Sequence, residues 1–366
     1  MNTELGDFFS NTFTNKPFVI AGPCSAESAE QMHDTVELLS QQNVKLVRAG
    51  IWKPRTRPNS FEGRGTVALQ WLKDAGTKFN LPVAVEVATV EHVEQALRAE
   101  IDVLWIGART TVNPFMVQEI AYALRGVNIP VMVKNPINPD LELWLGSVER
   151  ICKAGITQVS AIHRGFSSYE NSLYRYKPNW EIPIEFKRQR PEVPMICDPS
   201  HIAGNTENIF FIAQTALDLQ YDGLMIETHI NPKEALSDAK QQITPHELEL
   251  LLSKLMQRKS TPDDVFELTK LLQLREKIDA LDKEMIDVLA RRMEISRIIG
   301  SFKKENNVTI LQPERWDEII KSRTAYGTAH ELHHEFLLKL CNILHEESIM
   351  QQANMMNATE NPELKK

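Results

Sequence analysis

The sequence predicts an α/β fold, a (β/α)8 TIM barrel followed by an all-α helical domain that dimerises, on three observations. Eight short apolar, β-branched runs alternate with helical patterns up to about residue 258, the rhythm of βα units around a parallel sheet. Those eight runs occupy roughly 240 residues, close to the ~250 typical of such barrels. Beyond them no strand-like run occurs, and one apolar stripe keeps a 3,4 spacing through more than four heptads. The length of 366 residues suits about two domains, or one large barrel with an attachment. An open doubly wound sheet would use the same rhythm, but no GxGxxG follows a strand.

In order, the runs are FVIAG ending at Gly22, LVRAG at Gly50, VAVEV at Val87, VLWIG at Gly107, VMVKN at Asn135, VSAIHRG at Gly165, VPMICD at Asp198 and GLMIETH at His229. The polar segment RKSTPDD, 258–264, reads as a linker that becomes a helix N-cap. Domains are therefore expected over 1–258 and 265–356, joined by a linker at 259–264, with a frayed tail over 357–366. The stripe Leu271, Leu274, Ile278, Leu281, Met285, Val288, Arg292, Ile295, Ile299 and Phe302 cannot be buried by one helix against itself. It requires a partner helix from this chain or a second copy, so at least a homodimer is expected. Helices around 313–323 and 330–352 would supply part of the cover.

Composition narrows the function classes. Hydrophobic residues make up 42% and charged residues 25% of the chain, as in ordinary soluble globular proteins. With 41 Lys+Arg against 49 Asp+Glu, the net charge is -8, which favours neither nucleic acid nor an anionic membrane as partner. MNTELGDFFS lacks the basic and apolar regions of a signal peptide, and no stretch reaches ~18 apolar residues. Four cysteines, Cys24, Cys152, Cys197 and Cys341, show no CxxC spacing, as suits a reducing, cytoplasmic compartment.

Barrel enzymes build their sites at the C-terminal strand ends, and those ends are strongly polar here. Strand two delivers Arg48 and then Lys53, Arg55 and Arg57; strand four delivers Arg109; strand five, Lys134; strand six, His163 and Arg164. In an acidic protein, cations converging from four strands imply capture of more than one anionic group, phosphate or carboxylate. Cys24, His201, Glu227 and Asp238 share the rim, a mixed donor set suited to one divalent ion of the Mn, Fe, Co or Zn class. Glu86, ending strand three among apolar residues, would pair with a cation or act on a proton or water.

The strings GPCS, RAGIWKPRTRP, GAR, KNP, HRGF, CDPSH and MIETH followed by SD resemble the short form of the 3-deoxy-D-arabino-heptulosonate 7-phosphate (DAHP) synthase family, in order from about residue 17 to 250. KPRT distinguishes users of erythrose 4-phosphate from the related octulosonate phosphate synthases, which take arabinose 5-phosphate. The resemblance implies condensation of phosphoenolpyruvate with erythrose 4-phosphate, releasing phosphate, at the first step of the shikimate pathway. It assigns Arg48, Lys53, Arg109, Lys134 and Arg164 to phosphoenolpyruvate, and Lys53, Pro54, Arg55 and Thr56 to erythrose 4-phosphate. Cys24, His201, Glu227 and Asp238 would hold the metal, which would polarise the aldehyde. Positive charge would develop beside Glu86, and Lys134 would protonate the new alkoxide, with a metal-bound water as its competitor.

Arg292 interrupts an otherwise apolar seam, and a charge there is costly unless a partner or ligand meets it. A buried glutamate fixing the register is one such partner; a bound anion is another. Lys303 lies eleven residues on, about three turns and nearly the same face. Arg275, seventeen residues earlier, projects roughly 100° away, toward a neighbouring helix's site. The stripe Leu337, Cys341, Leu344 turns polar at Ser348 and Gln352.

LREKIDALD, LARRMEIS, GSFKK and HEESIMQQ resemble the all-helical chorismate mutase family, whose fold is a domain-swapped dimer. By that resemblance Arg275 of the partner subunit, Arg292 and in part Arg315 would bind the carboxylates of chorismate. Lys303 and Gln352 would donate to the ether oxygen, and Ser348 would contact a carboxylate or hydroxyl. Holding the folded conformer and stabilising charge would suffice for rearrangement to prephenate. The chain departs from the pattern at Gln312, where an acidic residue is common, and at Trp316, where a glutamate follows the arginine. Two readings follow for the helices: a second active site, or a non-catalytic module that senses prephenate or chorismate, dimerises the chain and regulates the barrel.

Overall fold

The computed structural model describes residues 17–53, 60–169 and 172–357. Pro54, Arg55, Thr56 and Arg57 and the expected tail from 358 onward lie outside the described residues. The chain divides into two compact units between Ser260 and Thr261.

In the first unit, β1 (Phe18–Gly22), α1 (Ala29–Ser40), β2 (Leu46–Ala49), α2 (Thr66–Lys78), β3 (Val83–Val87), α3 (Val90–Arg98) and β4 (Val103–Ile106) follow one another. A one-turn α4 (Ala108–Thr111), α5 (Pro114–Ala123), β5 (Val131–Lys134), α6 (Leu141–Lys153), β6 (Val159–His163) and α7 (Glu181–Gln189) come next. The unit ends with β7 (Met195–Cys197), α8 (Pro199–Ala203), α9 (Ile209–Asp218), β8 (Gly223–Glu227) and α10 (Pro245–Lys254). All eight strands are parallel and close into a barrel in chain order, β1 pairing with β8. Each predicted run contains its strand. Where a run outlasts its strand, as at Gly50, Gly107, Asn135 and Asp198, the backbone has left the ladder for the loops of the rim.

Side chains alternate across a strand, and this period of two builds the barrel's two cores. Outward residues such as Val47, Val85, Ala161 and Cys197 pack on the ring of helices. Inward residues, among them Ile20, Leu46, Ala84, Trp105, Met132, Ile162, Ile196 and Met225, fill the interior. Two positions further along, the same inward face carries Arg48, Glu86, Lys134, Arg164, Asp198 and Glu227. The site is thus the top layer of the interior stack, and apolar layers below form its floor.

Helix starts obey local chemistry. Ser28, Asp140 and Asp198 cap α1, α6 and α8 by accepting from backbone N–H groups, and Thr244 with Glu247 forms a capping box on α10.

The second unit holds α11 (Val265–Glu305), α12 (Pro313–Thr328) and α13 (His334–Asn357). Asp264 accepts from the N–H groups of Phe266 and Glu267, the N-cap expected at the end of the polar linker. α12 runs five residues beyond the predicted span. α13 starts four residues late, because Leu332 returns its N–H to Gly327 and Glu331 takes a left-handed φ of 63°. α13 packs along the C-terminal half of α11, where Gly300 abuts the backbone of Gln352. The N-terminal half keeps its seam open: Leu274, Ile278, Leu281 and Met285 are each more than half exposed.

Candidate active sites

Opposite charges interlock at the barrel mouth. Arg48, buried on β2, donates from Nη1 to Glu227 Oε1 at 2.7 Å. Lys134 donates to Asp198 Oδ2 at 2.8 Å, and both cations stand over the face of Trp105. His201, carried on α8 just beyond β7, places Nδ1 at 3.0 Å from Asp198 Oδ1 and Nε2 at 3.8 Å from Glu227 Oε1. Burial holds this imidazole below its ordinary pKa despite Asp198 and Glu227, so it is neutral at pH 7. Burial pushes the Glu227 carboxyl up, but His201, Arg48 and Lys53 outweigh it and bring the pKa to about 2. Asp238, desolvated but facing Arg175 and Lys53, is likewise held well below the usual carboxylate range.

Cys24 Sγ lies 3.3 Å from Asp238 Oδ2 and 2.9 Å from Lys53 Nζ. Burial, reinforced by Glu227 and Asp238, pushes this thiol up to about 12. The four predicted donors therefore meet in pairs, Cys24 with Asp238 and His201 with Glu227. Among the described residues, the cluster with three donor atoms mutually within 4.8 Å is His33, Asp34 and Glu37, on the outer helix α1. The rim set nevertheless fits a divalent ion chemically. Its carboxylates are ionised, and its imidazole is neutral with Nδ1 tied to Asp198, which leaves Nε2 available, the arrangement typical of metal-binding histidines. Cys24 alone must lose a proton.

Two buried donors in the mouth find no partner among the described residues: Nε of Arg48 and Nη1 of Arg164. Arg164 extends the inward face of β6, and its backbone N–H donates to Asn135 Oδ1. Arg109 is in the first turn of α4 and exposed, close enough to Arg164 for their charges to repel. Glu86 Oε2 accepts from Trp105 Nε1 at 3.0 Å, and Gly107 makes room for it, since a Cβ there would fall 2.1 Å from Oε1. His163, expected among the cations of the mouth, is not one of them. One residue before Arg164, it faces the helices instead, accepting from Tyr221 and donating to Pro178 O beside Trp180. Burial takes its pKa down to about 3.

In the helical unit α11, α12 and α13 enclose a cleft of about 770 Å³ lined by Arg292, Lys303, Gln312, Arg315, Trp316, Ser348 and Gln352 among others. Arg292 Nη1 donates to Ser348 Oγ at 2.6 Å and to Leu344 O at 3.2 Å, so polar groups of α13 meet the seam cation, rather than a glutamate. Burial and nearby Arg323 lower its pKa, and burial lowers that of Lys303. Lys303 Nζ donates to Ile310 O at 2.7 Å, while buried Oε1 of Gln352 has no partner among the described residues. Trp316 stacks on His345 with 3.9 Å between ring centroids, and Arg315 pairs with Glu318. Arg275 is exposed on α11 and does not line this cleft.

Residues 12–262 match the model of the DAHP synthetase I family. The chain belongs to that family. Residues 274–353 match the model of chorismate mutase type II. A phospho-2-dehydro-3-deoxyheptonate aldolase of Thermotoga maritima is 31% identical over 225 residues, 62% of this chain and 64% of that protein. The chain therefore matches just under two thirds of that relative's length. A 2-dehydro-3-deoxyphosphooctonate aldolase of Xylella fastidiosa is 27% identical over 66% of this chain and 91% of its own. A crystal structure of the Thermotoga maritima heptonate aldolase superposes with a TM-score of 0.60 at 29% identity, covering 66% of this chain and 68% of that one.

Within this DAHP synthetase I barrel, sequence reasoning missed three residues that shape the site. Asp198 holds both Lys134 and His201; it closed a predicted strand just before a Pro, a signal that could have marked it. Arg175, in a loop, and Gln241, at the end of a short 3-10 turn (Ala239–Gln241), hold Asp238 and Glu227. Nothing in their local sequence distinguishes them.

Proposed function

We propose that the barrel condenses phosphoenolpyruvate, erythrose 4-phosphate and water to DAHP and inorganic phosphate, and that the helical unit rearranges chorismate to prephenate, in a cytoplasmic protein of the shikimate pathway. The observation that supports the first activity best is the pair of buried donors in the mouth, Arg48 Nε and Arg164 Nη1, that find no partner among the described residues. A buried donor left without an acceptor costs about 1–3 kcal/mol, and an anionic substrate removes that cost. Arg48, Arg164, Arg109 and Lys134 would hold the phosphate and carboxylate of phosphoenolpyruvate. Lys53, with Pro54, Arg55 and Thr56, would hold erythrose 4-phosphate.

Cys24, His201, Glu227 and Asp238 would hold one divalent cation, which when bound supplies Lewis-acid polarisation of the aldehyde. The chain's own residues account for the rest. Trp105 and the apolar floor exclude water from below. Glu86, oriented by Trp105, would stabilise positive charge at the former enol carbon as the new carbon–carbon bond forms. The Lys134 ammonium, fixed on the ionised Asp198, would give a proton to the aldehyde-derived alkoxide. Water then adds to the cationic carbon, and the carbon–oxygen bond to phosphate breaks.

In the helical cleft no nucleophile is needed. Arg292 and Arg315 would take the two carboxylates, with Arg275 supplied by a second copy. Lys303 and Gln352 would donate to the ether oxygen as its bond opens, and Ser348, already fixed by Arg292, would complete the anion contact. The open seam on α11 supports a dimer formed through this unit.

The test is loss of chorismate, with prephenate identified, by the purified chain and by Arg292→Ala, beside phosphoenolpyruvate consumption with erythrose 4-phosphate or arabinose 5-phosphate. Chorismate turnover that disappears in the variant supports two active sites. Prephenate binding without turnover would make the helices a sensor. Preference for arabinose 5-phosphate would overturn the barrel assignment.

A further inference from the structure

Two adjacent loop residues, Arg175 and Tyr176, between β6 and α7, touch both halves of the barrel site. Arg175 Nη1 donates to Asp238 Oδ1 at 3.0 Å and to Gln241 Oε1 at 2.7 Å. Gln241 then donates from Nε2 to Glu227 Oε2 at 2.6 Å. One guanidinium therefore orients two carboxylates, the first directly and the second through an amide whose orientation it fixes. The ring of Tyr176 lies flat under the other subsite, its centroid 3.4 Å from Cζ of Arg164.

The backbone is built to keep this dipeptide in place. Arg175 N donates to Ala203 O and Tyr176 N to Ile202 O, at the end of the helix that carries His201. Phe166 and Lys177 exchange two backbone hydrogen bonds of 2.8 Å, tying the segment to the end of β6. Two glycines in the left-handed region lie directly against it. A Cβ at Gly204, φ 70°, would fall 2.4 Å from Arg175 Cβ, and one at Gly165, φ 78°, would fall 2.9 Å from Tyr176 Cβ. A simple connector between β6 and α7 has no need of four stitches and two such clearances.

We infer that Arg175 and Tyr176 are positioning residues, Arg175 aligning Asp238 and Glu227 for a divalent cation and Tyr176 aligning Arg164 for an anionic substrate. The loop thereby sets the distance between the two subsites. The inference rests on the reading of Cys24, His201, Glu227 and Asp238 as metal ligands.

The experiment measures Mn²⁺ binding to the full-length protein by calorimetry, and phosphoenolpyruvate binding to the chelator-treated protein. Arg175→Ala is expected to weaken Mn²⁺ about 10–100-fold, the usual effect of losing a residue that orients ligands, with phosphoenolpyruvate affinity unchanged. Arg175→Lys, which keeps the charge but not the planar fork, should fall in the same direction. Tyr176→Leu should reverse the pattern, weakening phosphoenolpyruvate and sparing Mn²⁺. Wild-type Mn²⁺ affinity in Arg175→Ala overturns the inference while Cys24→Ala and Asp238→Asn still lose the ion. If those two also bind Mn²⁺ normally, the metal reading falls and takes the inference with it. Parallel loss of both ligands in Arg175→Ala and Tyr176→Leu would mark a merely structural loop and likewise overturn it.

Discussion

Arg48 and Glu227, on strands that flank β1 from either side, form an ion pair of 2.7 Å with both side chains closed to solvent, while Nε of the same guanidinium has no partner among the described residues. The arginine is thus divided between neutralising a carboxylate and waiting for a ligand. Removing one member of such a buried pair strands the other's charge. Arg48→Met is expected to lower barrel stability by about 3–5 kcal/mol, measured by urea unfolding. Adding Glu227→Gln should recover part of that loss, and no recovery would show that the pair is not what the single variant disturbs.

The buried imidazole of His163 makes a pH prediction. Its folded pKa of about 3 lies below its ordinary value of 6.5 because burial disfavours the charged form. Between those values the unfolded chain binds a proton that the native protein refuses, so stability rises with pH and is lost as pH falls below 6.5. From pH 7 to pH 5 this one group should remove about 2 kcal/mol. His163→Gln should be less stable at pH 7, having lost its Tyr221 contact, yet show a shallower pH slope; an identical slope would assign the acid sensitivity elsewhere.

Glu86→Gln removes charge while keeping shape and the bond from Trp105. DAHP formation should drop on the order of 10²–10⁴-fold, with phosphoenolpyruvate affinity within a few fold of wild type. Equal loss of binding and rate would mean that Glu86 organises the ground state instead.

Chelation should separate the two chemistries. Prolonged treatment with EDTA is expected to abolish phosphoenolpyruvate consumption, reversibly on adding Mn²⁺, and to leave chorismate turnover untouched, since the helical cleft is lined with cations. Retained barrel turnover in metal-free protein would refute the assigned donors.

The open seam predicts self-association. Leu281→Glu, in the exposed half of α11, should shift sedimentation toward monomer. It should also reduce chorismate turnover if Arg275 is supplied by the partner. A variant that sediments like wild type would place the dimer contact elsewhere.

What the sequence revealed follows from which signals are local. Strand ends were legible because β-branched runs give way to glycine and polar residues, and Arg292 was legible because a heptad seam gives every position an expected polarity. His163 and Arg164 were grouped together, although neighbours on a strand face opposite ways; the alternation itself, counted from Ile162, separates them. Arg175 and Gln241 could not be found, because a loop's path is set by distant stitches such as Tyr176 N to Ile202 O. Arg323 and His345 also escaped, Arg323 on a helix with no seam to read it against and His345 one position beside the stripe of α13.

Because the charged layer is the continuation of the apolar stack two residues below it, strand length specifies the chemistry as strictly as residue identity does. Inserting one residue into β7 would bring Cys197 to the mouth and turn Asp198 outward, with no substitution at any site residue. Such barrels should therefore diversify by point changes within strands and by insertions confined to the loops, and a reading frame of two, invisible in a count of matched residues, would be preserved between lineages.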